Sequence, residues 1–433
     1  MMPAGQLDLA GLATYELFFR GALDKLGVYP DMLHIGDYKT YSNTFTEHGF
    51  TPAHREMSRS LNHDWYDQLV RAIAEGRKQP EADVRTAIDG GPFLAEDAHR
   101  AGLVDALGYE DTVDKMAPVQ GTRRMDGDAY LKTLSPVYNA STRIALLYAV
   151  GTIASGKSSF GGLGGSVVGS DTFAGWVRKA RLDPSIRAIV VRIDSPGGSA
   201  IASEVMWHEL MLAREVKPVI VSMGNVAASG GYYIAVPANV IVAEPGTITG
   251  SIGVVTGKFV LKDALAKLGV GTDAVSDGKL AELYSPFKPF STDERARVEE
   301  QMRTTYELFL SRVAEGRQST PAKIDVVAQG RVWTGRQAHE LHLVDELGGL
   351  DTAVQIAKQR ARIDPSRDVE LVVYPSRRSI FDWIENPSGA STNATLDTLM
   401  HRPDTRVLAS ALSILSLFHR GEPLAVLPNI FWN

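Results

Sequence analysis

The sequence predicts an α/β fold with mostly parallel sheets, because strand-like and helix-like segments alternate along its second half. Three observations support this: apolar runs that fit strands buried on both faces, capped or amphipathic helices between them, and glycine-marked turns at strand ends. The predicted strands are 143–150, 188–193, 218–223 and 240–243, and the predicted helices are 171–181, 200–214, a short one after 229, and 292–316. This alternation implies right-handed crossovers between parallel strands.

The first elements follow from local signals. The run RIALLYAV at 143–150 is uninterrupted and apolar, as a strand covered on both faces should be. A helix that begins near Asp171 is ended by the Asp-Pro pair at 183–184. The β-branched run AIVVRI at 188–193 is followed, after Ser-Pro-Gly-Gly, by a helix that starts near Ala200.

The later elements are marked in the same way. The apolar runs 218–223 and 240–243 read as strands on either side of a short helix. Farther along, Ser291 and Glu294 have the spacing of a capping box, which predicts the start of a long helix that ends near Gly316.

The chain also resembles itself at an offset of about 240 residues. The matching pairs are 22–28 with 264–270, 73–77 with 313–317, and 103–108 with 343–348. Three matches in one order predict duplicated lobes, with chance similarity of amphipathic helices as the alternative. The second copy begins near 142, well before its first match, whereas the first copy has only 21 residues before its own. We therefore expect the front of the first lobe to be absent from this chain.

The repeat divides the chain into three predicted regions. A truncated N-terminal lobe covers 1–130, a C-terminal lobe covers 142–360, and an extension covers 361–433. Within the extension, the run ENPSGASTNAT near 385–395 is polar and rich in turn formers, which is typical of a linker.

Composition excludes several classes of protein. Apolar residues make up 44% and charged residues 22%, and the net charge of −6 argues against nucleic-acid binding. The absence of cysteine excludes a thiol nucleophile and cysteine-based metal sites, and we expect no metal and no cofactor. No run approaches the ~20 apolar residues of a membrane helix, and the start shows no signal peptide pattern. Taken alone, the chain reads as soluble.

Two glycine-marked turns form the candidate site. The runs DSPGGS at 194–199 and NVAASGGY at 225–232 follow consecutive predicted strands, at the edge where open α/β sheets gather their sites. Ser229 begins a short helix between small neighbours, which would let a substrate backbone approach its hydroxyl. The backbone N–H groups of Gly198 and Gly230 could point together at a developing oxyanion. Alternatively, Ser229 is an N-cap and the glycines are turn residues.

A serine nucleophile needs a base. No histidine lies between His208 and His339, so none is local to Ser229, and a Ser-His-Asp triad is disfavoured although a distant histidine could approach. Lysine is the other option. Its pKa, ordinarily about 10.4, would have to be lowered by burial before the neutral amine could accept a proton.

From about residue 7 to 353, the sequence resembles the bacterial signal peptide peptidases of the A type, also called protease IV, in their long two-lobed form. The motifs that carry the resemblance are RIDSPGGS at 192–199, MGNVAASGGYY at 223–233, ITGSIG at 248–253 and GRVWTG at 330–335. The resemblance implies a fold similar to Clp protease and crotonase, and a serine peptidase with a Ser–Lys dyad.

The resemblance also implies roles for individual residues. It makes Ser229 the nucleophile, and it assigns the oxyanion hole to the N–H groups of Gly198 and Gly230. Ser251 would hydrogen-bond to the base lysine and orient it.

The identity of that lysine follows from the resemblance together with the repeat. Short members of the family take their base from just before a Ser-Pro pair, a position that here falls on Ala281. The offset of 242 places its counterpart at Lys39, in the GxYK-like context that long members use. Lys279, two residues from the vacated position, is the alternative, although alternation along a strand would not put it in the same place. A solvated surface role is the other reading of Lys39.

The resemblance further implies an endopeptidase of extended apolar peptides such as cleaved signal peptides. It implies a homo-oligomer, such as a tetramer, at the inner membrane and facing the periplasm, although neither an anchor nor the front of the first lobe is visible in this sequence. Two alternatives stay open. One is a crotonase-type acyl-CoA enzyme, which needs no serine nucleophile. The other is a catalytically impaired remnant that binds peptides or acts as a scaffold.

Overall fold

The computed structural model describes residues 1–112, 125–133, 142–159, 166–375, 423–427 and 431–432. The linker predicted near 385–395 lies outside these residues. The chain forms two compact units: a smaller one from residues 1–14, 62–138 and 432–433, and a larger one from residues 15–61 and 139–431. The lobe boundaries given above stay a prediction.

The described helices and strands are numbered here in chain order. The helices are Arg20–Leu26 (α1), Asn43–Thr46 (α2), Pro52–Arg77 (α3), Glu81–Asp89 (α4), Ala95–Arg100 (α5), Gly127–Thr133 (α6), Ser170–Leu182 (α7), Ala200–Arg214 (α8), Gly230–Tyr233 (α9), Lys262–Lys267 (α10), Thr292–Gly316 (α11), Pro321–Val327 (α12), Gly335–Glu340 (α13) and Leu350–Arg360 (α14). The strands are Gln6–Leu7 (β1), Thr14–Tyr15 (β2), Tyr29–Ile35 (β3), Phe93–Leu94 (β4), Arg143–Val150 (β5), Thr152–Ala154 (β6), Val167–Gly169 (β7), Ile186–Ser195 (β8), Gly197–Ser199 (β9), Val219–Ala228 (β10), Val240–Ala243 (β11), Ile248–Gly250 (β12), Val254–Val260 (β13), Val332–Thr334 (β14), Glu346–Leu347 (β15), Glu370–Tyr374 (β16), Leu424–Val426 (β17) and Phe431–Trp432 (β18).

The larger unit contains an eight-stranded sheet that is mostly parallel, which confirms the α/β prediction. Its strand order is β14-β12-β10-β8-β5-β16, with β11 beside β10 and β15 beside β11. Strand β14 runs antiparallel to β12, whereas the other pairs are parallel. The central strands are apolar along most of their length because helices cover both faces of the sheet.

Neighbouring residues of β8 show this two-sided burial. Val191 packs on one face in a cluster that includes Phe173 of α7 and Leu210 of α8. Val190 packs on the other face in a cluster that includes Ala357 of α14. Successive side chains of a strand point to opposite faces, so both faces of this sheet must be apolar.

The predicted elements of this region are present, and the main difference lies where strands end. Strand β10 continues past the predicted end at residue 223 to Ala228. Gly224 and Asn225 interrupt the apolar run that marked the strand, but the ladder to β12 extends it from Val226 to Ala228. The long helix α11 begins with the predicted capping box at Ser291.

A second sheet of six strands lies in the same unit, in the order β3-β13-β17-β9-β6-β7. Strand β3 is antiparallel to β13, with Ile35 opposite Val254. Strand β9 follows directly after β8, and β13 follows shortly after β12. Two strands of the first sheet therefore lead into the second, and Gly198 and Ser251 lie at these transitions.

The smaller unit has a core of its own. Strands β1 and β4 pair antiparallel, and Val70, Val84 and Ile88 are buried together. Within the described part of the chain, no helix is long and apolar enough to cross a membrane. The described residues also contain no group of three or more His, Asp or Glu side chains arranged to hold a metal ion.

Candidate active site

Ser229 and Ser251 are brought together by two parallel strands. Strands β10 and β12 run side by side with Ala228 opposite Gly250, so the residue after each strand lies at the same edge of the sheet. The backbone N–H of Ser229 donates to the carbonyl oxygen of Gly250 at 2.8 Å.

Lys39 reaches this edge from a different part of the chain. Strand β3 adds to β13, and its last residue, Ile35, pairs with Val254, three residues after Ser251. The turn that follows β3 therefore ends beside Ser251, and it carries Lys39. Lys39 and Ser229 are 190 residues apart in the sequence, and the antiparallel pairing of β3 with β13 brings them together in space.

The three side chains form a hydrogen-bonded cluster. Lys39 Nζ lies 2.7 Å from Ser229 Oγ, 3.0 Å from the carbonyl oxygen of Ser251 and 3.1 Å from Ser251 Oγ. All three residues have an exposed fraction of 0%. The sequence predicted each of them, and the structure brings them within hydrogen-bond distance.

Burial changes the acidity of Lys39. Removal from water disfavours the charged ammonium form, and this desolvation lowers the pKa of Lys39 well below its usual value. A neutral amine has a free electron pair that can accept a proton. The hydroxyl oxygen of Ser229 lies at the distance that such a transfer requires.

The backbone of Ser229 is strained. Its φ of 55° and ψ of −113° place a non-glycine residue in a sparsely populated region, which costs on the order of 1–3 kcal/mol. The surrounding hydrogen bonds hold it there: its N–H donates to Gly250, and its carbonyl accepts from the N–H of Tyr233 at 2.8 Å. Ser229 therefore lies at the junction between β10 and α9, with its hydroxyl at hydrogen-bond distance from Lys39 Nζ.

The two glycine turns predicted to supply oxyanion donors lie against each other. Gly198 has a φ of 153°, and a Cβ added there would lie 2.0 Å from the carbonyl oxygen of Ile153, so only glycine fits. A Cβ added to Gly197 would lie 2.7 Å from the backbone nitrogen of Gly230. The turn after β8 and the start of α9 are thus adjacent, and Gly230 directly follows Ser229.

One contribution was missed at the sequence level. The motif GRVWTG carries the family resemblance without indicating a role, yet its first two residues contact Lys39 and Ser251. Gly330 has a φ of 77°, and a Cβ there would lie 2.5 Å from the Cα of Lys39. The carbonyl of Arg331 accepts from the N–H of Ser251 at 2.7 Å. The available sequence signal was the first glycine of the GRVWTG motif, which lies far from Ser229 in the sequence.

The side chain of Arg331 anchors this segment. Its guanidinium donates two hydrogen bonds to the carboxylate of Glu56, at 2.9 and 2.7 Å. It also lies 4.7 Å from the ring centroid of Tyr38 and 4.4 Å from that of Trp333. The guanidinium of Arg331 therefore contacts Tyr38, the residue before Lys39, while the backbone carbonyl of the same arginine binds Ser251.

Lys279, the alternative base, has surroundings that differ from those of Lys39. The Lys279 side chain is 81% exposed and pairs with Asp293 at 3.2 Å. Ala281, at the equivalent repeat position, is also exposed. Lys279 therefore lacks the buried environment that Lys39 has.

Comparison with known proteins places this site in a family context. The family model described as peptidase family S49 matches residues 1–121 and 212–364, which together are more than half of the chain. "Protease 4" of Salmonella typhi is 37% identical over 440 residues, which cover 98% of this chain and 69% of that protein. "Protease 4" of Haemophilus influenzae is 35% identical over 378 residues, or 82% of this chain and 60% of that protein.

A plant relative shows the same similarity. The protein named "Serine protease SPPA, chloroplastic" of Arabidopsis thaliana is 35% identical over 383 residues, which cover 86% of this chain. The chain spans 56% of the length of that protein and 60–69% of the two bacterial ones. On the family model and these identities, the chain belongs to peptidase family S49.

Proposed function

We propose that this protein is a serine endopeptidase in which Ser229 and Lys39 act as a catalytic dyad. The observation that carries the proposal is the 2.7 Å distance between Lys39 Nζ and Ser229 Oγ, in surroundings that lower the pKa of the lysine. Membership of a peptidase family and the names of the relatives support peptide bond hydrolysis as the reaction.

In the first half of the proposed reaction, the Ser229 hydroxyl attacks a peptide carbonyl carbon. Lys39 Nζ accepts the hydroxyl proton as the new C–O bond forms, and then donates that proton to the departing amine nitrogen. Ser251 supplies two oxygens, its carbonyl and its hydroxyl, that accept hydrogen bonds from Lys39 Nζ. These contacts keep the amine pointed at Ser229 through both protonation states.

The negative charge of the tetrahedral intermediate develops on the carbonyl oxygen. The N–H groups of Gly198 and Gly230 are the proposed donors to that oxygen, and paired backbone donors of this kind contribute about 3 kcal/mol or more. In the second half of the reaction, Lys39 accepts a proton from water. The resulting hydroxide attacks the acyl carbon, the ester bond to Ser229 breaks, and Lys39 donates the proton that it took from water to Ser229 Oγ.

We propose extended, largely apolar peptides such as cleaved signal peptides as substrates, on the strength of the family resemblance. Duplicated lobes with a Clp- and crotonase-like fold belong to the same proposal. In its support, Lys267 Nζ donates to the carbonyl of Lys25 at 2.6 Å, a contact between equivalent repeat positions. A homo-oligomer and an inner-membrane location facing the periplasm stay predictions.

The test combines active-site labelling with peptide hydrolysis. A fluorophosphonate probe should modify Ser229 in the wild type, and a fluorogenic apolar peptide should be cleaved. Ser229→Ala should abolish both the labelling and the cleavage. Ser311→Ala removes an exposed helix serine and should change neither.

Three results would contradict the proposal. Unchanged hydrolysis by Ser229→Ala would exclude Ser229 as the nucleophile. Absence of labelling and of hydrolysis, both from the folded wild type and from a folded variant whose site is fully accessible, would favour the peptide-binding scaffold. Turnover of an acyl-CoA thioester that survives in Ser229→Ala would favour the crotonase-type reading.

A further inference from the structure

The six-stranded sheet contains one short strand from far along the chain. Strand β17, within the run PLAVL at 423–427, lies between β13 and β9 and is antiparallel to both. Neighbouring strands are ~4.8 Å apart, so β13 and β9 face each other across a slot that is one strand wide. Both walls of the slot belong to segments that build the candidate site: β13 follows Ser251, and β9 contains Gly198.

The register of β17 places a peptide carbonyl at the oxyanion donors. Ala425 lies opposite Gly198. On one side, the N–H of Leu427 donates to the carbonyl oxygen of Pro196 at 2.8 Å. On the other side, the N–H of Ala200 donates to the carbonyl oxygen of Pro423 at 3.3 Å. In an antiparallel ladder, hydrogen-bonded residue pairs alternate with pairs that are not hydrogen-bonded. Because the pairs two residues away on both sides are hydrogen-bonded, Ala425 and Gly198 also form a hydrogen-bonded pair. The N–H of Gly198 therefore points at the carbonyl oxygen of Ala425.

Two further distances place this oxygen between the glycine turns. A Cβ added to Gly197 would lie 2.0 Å from the Ala425 carbonyl oxygen, and a Cβ added to Gly230 would lie 3.2 Å from it. The oxygen is thus in contact with both turns that flank Ser229. An attacked carbonyl must occupy this position if Gly198 and Gly230 are the donors.

We propose that residues 423–427 are an internal, substrate-like ligand of this site, bound by strand addition with Ala425 at the position of the attacked residue. This inference rests on the proposed peptidase function and names the ligand chemistry of the same site. Ser229 and Lys39 both have an exposed fraction of 0%, as expected of a site whose substrate position is occupied.

The side chains of the segment define the class of peptide that the slot accepts. Leu424 and Val426 are buried on one face in a cluster with Tyr41 and Phe45. Ala425 points to the opposite face and has an exposed fraction of 0%. The slot therefore takes an extended peptide with a small residue at the attacked position and an aliphatic residue on each side.

A tethered ligand competes with free substrate intramolecularly, at an effective concentration set by the length of the chain that links it to the site. Substrate turnover then requires the segment to leave. The apparent affinity for substrate falls in proportion to the fraction of time the slot is free. Displacing the segment should therefore increase kcat/KM for a peptide substrate.

Ala425→Lys is the displacing variant, because a charged side chain cannot stay at a fully buried apolar position. We expect kcat/KM for a fluorogenic apolar peptide to rise at least tenfold, which corresponds to a wild-type slot that is free about one-tenth of the time or less. Val373→Lys is the matched control. It adds the same charge at an exposed position of β16 and should leave the rate unchanged.

A second measurement keeps the test independent of how well that variant folds. In Ser229→Ala protein, hydrogen exchange at residues 424–427 is compared with and without a saturating synthetic peptide of residues 422–429. Exchange at these amides should accelerate at least tenfold, because the added peptide takes the slot. A scrambled peptide of the same composition should have no effect. Unchanged protection would mean that β17 is a permanent part of the sheet, and would overturn the inference.

Intact mass is recorded for every sample. Hydrolysis of the Ala425–Val426 bond would add one water across that bond and release the residues that follow. Loss of those residues from the wild type but not from Ser229→Ala would show that the segment reaches Ser229 as a substrate, and would support the inference.

The outcomes separate this inference from the function beneath it. Ser229-dependent hydrolysis by the wild type, with an equal or lower rate in folded Ala425→Lys, overturns the internal ligand and leaves the peptidase in place. Absence of Ser229-dependent hydrolysis from both the wild type and folded Ala425→Lys overturns the peptidase, and the internal ligand with it.

Discussion

The segments 35–42 and 277–284 lie 242 residues apart, at positions that the internal repeat predicts to be equivalent, yet each has a lysine in a different environment. Lys39 in the first segment is fully buried and makes three hydrogen bonds to Ser229 and Ser251. Lys279 in the second lies two residues from the equivalent position, is 81% exposed and pairs with an aspartate. Residue type alone therefore does not identify a base; burial without a neighbouring carboxylate does.

Packing explains the difference. Strand β3 carries the first segment into the second sheet, and Gly330 closes over the backbone of Lys39 at a distance that excludes any Cβ. Most residues from 277 to 282 are exposed, so the ammonium group of Lys279 is hydrated. Cover from the 330–331 segment, rather than position in the repeat, makes Lys39 a candidate base.

The largest effect should come from removing the amine. Lys39→Ala should lower kcat for peptide hydrolysis about 10³-fold, because a positioned base contributes between 10² and 10⁴. Lys279→Ala should stay within about twofold of the wild type, since an exposed ion pair contributes little. Steady-state kinetics on both variants measures this. Equal losses in the two variants would remove the distinction between the two segments.

A smaller loss should follow from crowding the cover over Lys39. Gly330→Ala adds a methyl group that would lie 2.5 Å from the Lys39 backbone, so the lysine must move. Misplacement by about 1 Å costs roughly 10²-fold in rate. Gly175→Ala, in α7, is the matched control and should retain full activity, because the new methyl group would lie more than 4 Å from every described atom outside its own stretch of helix. A fully active Gly330→Ala would show that this glycine does not position the base.

The dependence of rate on pH should sharpen the comparison further. Only the unprotonated form of Lys39 can accept the proton of Ser229, and burial lowers the pKa of this lysine well below its usual value. The rate should therefore rise about tenfold per pH unit below that lowered pKa, and level off above it. A profile of kcat from pH 5 to 9 tests this. A rate that is constant over that range would argue against a lysine base.

The smallest effect is on stability and has the opposite sign to the effect on activity. Folding lowers the pKa of Lys39, so the unfolded chain binds this proton more readily over the interval up to about pH 10.4, and stability falls as the pH falls through that interval. Lys39→Met removes the buried amine and should raise Tm at pH 7 by about 2 °C. The gain should shrink as the pH approaches 10. Thermal unfolding at pH 7 and pH 10 measures it, and a loss of stability at pH 7 would contradict it.

The sequence predicted the central strands and Ser229 because their signals are local. Continuous apolar runs mark β5 and β8, and small residues around Ser229 mark the turn. Lys39 required long-range information, which the internal repeat and the family resemblance supplied. Ser251 came from the resemblance alone.

Other features could not be predicted because they depend on contacts between distant segments. The role of Gly330 depends on the position of Lys39, some 290 residues earlier. Strand β17 is three residues long, and its partners Gly198 and Val255 lie far earlier in the sequence. No periodicity within such a short run indicates which edges it will join.

Because Lys39 and Ser229 come from distant parts of the chain, the proposed chemistry depends on the order in which the chain is synthesised and folds. During synthesis, residues 29–39 leave the ribosome about 190 residues before Ser229, and β13 emerges later still. A nascent or partly unfolded chain therefore holds an ordinary alcohol and a hydrated ammonium, neither of which cuts peptides. Under the proposed mechanism, hydrolysis begins only after β3 has paired with β13, so an incompletely folded chain does not cleave peptides.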